Sequence, residues 1–270
     1  MTSLSDKLRV EPGTKVQLSK YDPSATPGMK DKITGEASLR DNLAELAKLQ
    51  YLMYAEDKRA LLVVLQAMDA GGKDGVIRHV MSGLNPSGCR VTSFKKPSDD
   101  EVDHDFLWRI HDAVPPRGEI GVFNRSHYED VLVVRVHNLV PEKVWKHRYA
   151  QINAFEQLLT DSHVVIRKFF LHISKEEQRQ RLQARLDDPT KHWKITPADA
   201  SERKHWDAYT AAFEDALTKC STEQAPWYII PANRKWYRDW AISQVMLETL
   251  RDLDMKFPPP RYDVSQIHID

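Results

Sequence analysis

Thiols are scarce: Cys89 and Cys220 are the two cysteines of a 270-residue chain. They stand far apart without metal-like spacing. That excludes a disulfide scaffold or a zinc finger and leaves two buried thiols of a cytoplasmic protein. Net charge is missing too, since 39 Lys and Arg match 39 Asp and Glu. No overall field therefore draws the chain to nucleic acid or a membrane surface, and a polyanionic ligand must be held by a local cluster of basic side chains. No apolar run approaches transmembrane length, and the N-terminus has no hydrophobic segment of the secretory kind, so the expected compartment is the cytoplasm. Protease and hydrolase patterns are absent as well: no histidine pair has H-x-x-x-H spacing around a Glu, and there is no G-x-S-x-G elbow. His104 and His111, seven apart on a helix expected from Ser98 to about Ala113, read as a polar face rather than a ligand pair. Internal repeats and low-complexity tracts are likewise missing.

What is present is ample apolar material, 41% of residues with seven Trp and eight Phe, enough for one large domain. The chain is organised around residues 59–80. Leu61 to Leu65 is an unbroken branched apolar run that suits a strand buried on both faces of a parallel sheet. Ala70-Gly71-Gly72-Lys73-Asp74-Gly75 follows and opens a helix expected to stop near Gly83. In such a strand, loop and helix the glycines let backbone N–H groups close around phosphate oxygens, the helix N-terminus adds positive charge, and Lys73 supplies a mobile cation. The reading is a phosphate-binding P-loop. Against G-x-x-x-x-G-K-[ST], the first glycine falls at Ala67 and the hydroxyl at Asp74. Without that hydroxyl magnesium needs another anchor, and Asp69 is the natural one, because magnesium takes one or two carboxylates besides water and phosphate. The competing account is a glycine turn that merely joins strand to helix.

The remaining chain alternates strand and helix, which predicts a parallel sheet covered on both faces. Residues 1–37 form an arm that either drapes over the domain or pairs with a neighbour. Ser38 N-caps a packing helix with an apolar stripe at Leu39, Leu43, Leu46 and Met53. Strands are expected at Cys89 to Phe94, Glu119 to Phe123, His163 to Ile173 and Pro226 to Pro231, and long helices at Pro141 to Thr160 and Arg234 to about Leu253. Arg125 leaves the third strand at its C-terminal end, where open α/β sheets place ligands, and its planar fork suits a transferred phosphoryl group. The Arg-rich helix after Ser174 runs into a bend at 187–194, and Thr196-Pro197 restarts a helix carrying Arg203, Lys204 and His205. This pair, about 185–205, is the expected lid, with Arg185 and Lys194 or Arg203 closing on phosphate. A solvated helical hairpin is its competing account.

Three stretches carry a resemblance. Met68-Asp69-Ala70-Gly71-Gly72-Lys73-Asp74-Gly75, Phe123-Asn124-Arg125-Ser126-His127-Tyr128-Glu129-Asp130 and Asp187-Asp188-Pro189-Thr190-Lys191-His192-Trp193-Lys194 together resemble the polyphosphate kinase 2 family, in order and spacing, over about residues 8 to 258. The form is most similar to the subgroup that phosphorylates both AMP and ADP. The resemblance implies a nucleotide-monophosphate-kinase-like, three-layer α/β/α P-loop domain with a helical lid, spanning 1–270. It also implies reversible transfer between inorganic polyphosphate and AMP or ADP, giving ADP or ATP, with magnesium or manganese, in a homodimer or homotetramer. By motif position Asp69 becomes a metal ligand, with Asp130 as a second candidate, and Lys73 the phosphate-holding lysine. Arg125 bridges donor and acceptor phosphates, Asn124, Glu129 and Asp130 lie toward the nucleotide, and Arg185, Lys194 and Arg203 belong to the lid. Ala67 and Asp74 agree with the family's own variant of the loop. A track for the polymer is expected along Arg78, His79 and the Arg179 to Arg203 segment. The alternatives are an ATP-dependent nucleoside or nucleotide kinase and a phosphate-binding module without catalysis.

Overall fold

A computed structural model describes residues 3–269. The arm opens with a short helix, α1 (Leu4–Leu8), and the long helix α2 (Lys32–Glu56) leads into strand β1 (Ala60–Ala67). Then come α3 (Lys73–Val80), β2 (Cys89–Ser93), α4 (Asp99–Asp103), α5 (Trp108–Asp112), β3 (Ile120–Asn124), α6 (Val133–Val136), α7 (Glu142–Asp161) and β4 (Val164–His172). The chain closes with α8 (Lys175–Leu186), α9 (Pro197–Glu202), α10 (Trp206–Cys220), β5 (Trp227–Pro231) and α11 (Lys235–Asp252).

The five strands form one parallel sheet in the order β2-β3-β1-β4-β5. Every residue of β1 is buried, as expected for the central strand of a sheet covered on both sides. Adjacent residues of β4 report the two covering layers, because successive side chains point to opposite faces. Arg167 donates to Thr249 Oγ1 on α11, whereas Lys168 reaches Glu156 on α7. Helices α2, α3 and α11 pack together on the first face, and α7 with α10 on the second. The connections after β1, β3 and β4 leave the same C-terminal edge of the sheet.

Of the two alternatives for the arm, the structure shows the draped one. Leu4, Leu8, Val10, Val16 and Leu18 are buried, and Val10 N–H donates to Trp227 O beside an antiparallel bridge between Arg9 and Tyr228. This covers the free edge of β5.

Helix boundaries depart from expectation in three places. Helix α2 starts at Lys32, because Asp31 accepts from Thr34 N–H at 2.9 Å and caps it one turn and more before Ser38. Ser38 lies inside the helix and accepts from the Trp240 indole instead. The helix expected from Ser98 to Ala113 is two pieces. The Ser98–Glu101 capping box forms, but Asp105 takes Leu107 N–H onto its carboxylate and breaks the helix between His104 and Trp108. His104 and His111 thus share no helix face; His104 stacks on Trp108 and His111 meets Phe155 edge-on. Arg203, Lys204 and His205 form a 3-10 turn between α9 and α10 rather than part of the restarted helix. Cys220 is buried as expected, but Cys89 is only half-buried.

Candidate active site

The loop after β1 is shaped by close backbone contacts. Ala70 and Gly72 take positive φ of 59° and 106°. A Cβ on Gly71 would lie 2.4 Å from the Cβ of Ala67, so an alanine at the pattern's first glycine position is accommodated by a glycine at 71. Lys73 Nζ rests 3.3 Å from Ala67 O. Burial and the nearby Arg125 hold its pKa below the usual lysine value, with Asp69, Glu129 and Asp74 opposing them. A negatively charged ligand at this ammonium relieves both costs.

Asp74, where the ordinary loop has a hydroxyl, accepts from Asn124 Nδ2 at 3.0 Å and ties the P-loop helix to the end of β3. Arg125 follows with a positive φ of 62°, its N–H donating to Leu65 O. Its guanidinium stands 3.5 Å from the Asp69 carboxylate. The next residues turn inward. Ser126 accepts from Gln66 Nε2, while His127 and Tyr128 contact Glu156, which also receives the fully buried Lys168. Burial pushes the Glu156 carboxyl up, but Lys168 and His127 outweigh it and hold it below the usual range. This buried cluster anchors the turn that presents Arg125 and Glu129.

Two cavities meet here. The larger, about 1120 Å³, is lined by eleven Lys and Arg against four Asp and Glu. It takes in the P-loop, Arg78 and His79, Lys95 and Lys96 beyond β2, Arg185 and Lys194 from the lid, and Lys235. The smaller, about 240 Å³, is walled by Leu132, Val133, Trp206, Tyr209 and Phe213, with Glu129, His137, Gln178, Glu202 and Arg203 among its polar groups. Asp69 and Arg125 line both. In the smaller cavity Tyr209 donates to Glu202 at 2.9 Å, and His137 Nε2 lies 3.1 Å from the same carboxylate. Burial and Glu202 together raise the Tyr209 phenol.

The structure thus brings together Asp69, Ala70 to Gly75, Arg78, Asn124, Arg125, Arg185 and Lys194 on the large cleft. Three assignments fall elsewhere. Arg203, expected on phosphate, binds Gln178 Oε1 and Lys175 O and lines the smaller cavity. Asp130 does not join Asp69: its carboxylate accepts from Arg148 at 2.9 Å on the α7 side, and burial raises it to about 6 even beside that guanidinium. Arg179 pairs with Glu176 on the exposed side of α8 and leaves the track. The residues sequence reasoning missed include Lys95, Lys96, Lys235, Arg238 and the aromatic wall of the smaller cavity. Lys95-Lys96 could have been found, since both follow a strand at the ligand-binding edge.

For a metal, the described residues offer no cluster of three His, Cys, Asp or Glu side chains. A half-exposed Asp69 carboxylate shared by two cavities fits magnesium nonetheless, because that ion completes its shell with water and substrate phosphates.

A family model described as polyphosphate kinase 2 matches residues 29–258. The chain belongs to the polyphosphate kinase 2 family. Within it, the chain is 52% identical over 268 residues to the AMP/ADP-polyphosphate phosphotransferase of Meiothermus ruber, covering 98% of this chain and 99% of that protein. It is 47% identical to the ADP-polyphosphate phosphotransferase of Rhodopseudomonas palustris, covering 93% and 91%. The crystal structure of polyphosphate kinase 2 from Arthrobacter aurescens TC1 superposes with a TM-score of 0.94 at 46% identity, over 98% of this chain and 94% of that one. The P-loop kinase architecture of this family accounts for the parallel sheet and the loop after β1.

Proposed function

We propose that this protein transfers the terminal phosphoryl group of inorganic polyphosphate to AMP and to ADP, giving ADP and ATP, and runs the reaction in reverse. The observation that carries the reading is the junction of two unlike cavities at Asp69 and Arg125. A long cleft rich in Lys and Arg suits a polymer with about one negative charge per phosphate. A small aromatic-walled pocket suits a base. The name of the relative from Meiothermus ruber supports polyphosphate with both acceptors, and that of the relative from Rhodopseudomonas palustris supports polyphosphate with ADP.

Phosphoryl transfer asks for positioned phosphates and compensated charge rather than covalent work by the protein. An oxygen of the nucleotide's terminal phosphate forms the new P–O bond as the bond to the next polymer phosphate breaks, and the polymer leaves one unit shorter. Lys73 and the N–H groups of Gly71 to Gly75 hold the donor end. Arg125 reaches phosphates on both sides, and its fork keeps them in line. Arg185 and Lys194 close the lid over the donor and exclude water. Asn124 acts through Asp74 by fixing the loop against β3, and Glu129 faces the nucleotide pocket. Asp69 would hold magnesium or manganese, which when bound would supply neutralisation of charge on the phosphates.

The reading extends to a cytoplasmic protein that binds neither nucleic acid nor membrane, supported by zero formal net charge and by the lack, among the described residues, of a helix long and apolar enough to span a bilayer. A homodimer or homotetramer rests on the family resemblance alone.

The test offers the purified protein magnesium, long-chain polyphosphate and either AMP or ADP, without ATP. Nucleotide formation from both acceptors, abolished in Lys73→Ala, is expected. Product from ADP alone keeps the donor and narrows the acceptor. Transfer only when ATP is supplied would place the protein among ordinary nucleotide kinases.

A further inference from the structure

Arg238 sits on α11, far in sequence from the loop after β1, and its side chain is 2% exposed. Its guanidinium is fixed by Asp239, with Nε at 2.8 Å and Nη2 at 2.7 Å from Oδ1. The other oxygen of that carboxylate lies 3.0 Å from His79 Nδ1 on the P-loop helix. Close by, Arg181 is held by Glu177 at 2.7 Å and donates to the carbonyls of Ala70 and Gly71. The loop therefore packs against two arginines, each immobilised by its own carboxylate, and both approach the position a Cβ of Gly72 would take. A Cβ on Gly72 would fall 2.0 Å from Arg238 Nη1, and one on Gly75 would fall 2.8 Å from Nη2.

From this we infer that Arg238 is a positioning residue for phosphoryl transfer, the surface against which Gly72 and Gly75 rest and which sets the shape of the phosphate loop. The inference rests on the proposed phosphotransferase activity. Gly75 isolates the effect. Its backbone is in the ordinary region, and the three nearest atoms to an added Cβ all belong to Arg238. It lies inside α3, where alanine is intrinsically better than glycine. An alanine there is therefore opposed by Arg238, whose guanidinium cannot swing aside without leaving Asp239. Gly72, with its positive φ, is strained by any side chain and separates nothing.

The experiment is a double-mutant cycle on Gly75→Ala and Arg238→Ala, reading kcat, KM for polyphosphate and Tm. In the native background Gly75→Ala is expected to lower kcat at least about tenfold. With Arg238→Ala already present, the same change leaves kcat within about threefold and raises Tm, as a Gly to Ala change in a free helix does. A merely structural Arg238 gives the same Gly75→Ala factor in both backgrounds, or no effect in either, and that result overturns the inference. If Arg238→Ala does not fold, Arg238→Lys serves as the second background under the same criterion, since the shorter amine also vacates the space beside Gly75. The unaltered protein assayed with polyphosphate and with ATP as donor keeps the two readings apart. Loss of polyphosphate-driven transfer there refutes the donor assignment, while the cycle is still readable with whichever donor works.

Discussion

Asp69 and Arg125 face each other at 3.5 Å with 37% and 44% of their side chains exposed. A pair so wet contributes less than about 1 kcal/mol to stability. Arg125 also holds a left-handed backbone conformation that side-chain-bearing residues avoid. Cost without stabilising return at the meeting point of two cavities is the signature of a group kept for chemistry. Replacing Asp69 by Asn should leave Tm within a few degrees and lower kcat by about 100-fold or more. A binding module without metal chemistry would change little, so unchanged turnover would sink the enzymatic role of Asp69. Arg125→Ala should cost about 1,000-fold in kcat, with Arg125→Lys recovering only part because a point charge cannot hold two phosphates in a fork. At this scale Asp69, Lys73 and Arg125 were legible because each stands at a fixed offset from a buried strand. Asp130 was not: its neighbour in sequence, Glu129, faces the pocket, and the turn sends the next side chain to Arg148. Arg238 had no local signal, since only the packing of α11 on α3 brings it to the loop.

The end of β3 and the turn after it split their labour between surface and interior. Asn124, Arg125 and Glu129 look outward, while His127 and Tyr128 are held by Glu156 and Lys168 beneath the sheet. Lys168→Met strands the Glu156 carboxylate and should destabilise by about 3–5 kcal/mol, whereas Lys168→Met with Glu156→Leu should recover much of the loss. Equal unfolding midpoints for the single and double variants would contradict that pairing. Two carboxylates of the same region titrate in opposite senses. The depressed Glu156 contributes stability that is present above its unfolded value and lost as pH falls. Asp130, raised from 3.8 to about 6, contributes stability that is full below 3.8 and lost as pH rises through 6. The Tm of Asp130→Asn relative to the native protein should therefore improve between pH 4 and pH 7; a worsening would mean that the Arg148 pair dominates. The strands and the helices α7 and α11 were legible at this scale to within a residue or two, because period and apolar runs reflect burial directly. Helix starts were less so: Asp31 outcompetes Ser38 as a cap, and Asp105 breaks the helix that the Ser98–Glu101 capping box begins.

Across the whole molecule, balanced charge conceals a strong local imbalance, and the long basic cleft is assembled from five separate segments. Affinity for polyphosphate should fall steeply between low and high salt, since the Debye length shrinks from about 30 Å at 0.01 M to about 3 Å at 1 M. Nucleotide affinity, resting partly on aromatic contact, should fall less; parallel declines would argue against separate sites. The sheet and its order of connections follow from alternating strand and helix, so the fold class was within reach of the sequence. The partition into two cavities was not, because Trp206, Tyr209 and His137 carry no motif and converge only when α6 and α10 pack. The most direct test of that partition is a crystal structure of the Lys73→Ala protein with polyphosphate and ADP bound together. Polymer phosphates are expected along the cleft between Arg78 and Lys194, the base against Trp206 and Tyr209, and the two substrates meeting at Asp69 and Arg125. A base lodged in the basic cleft, with polymer in the aromatic pocket or absent, would contradict that partition.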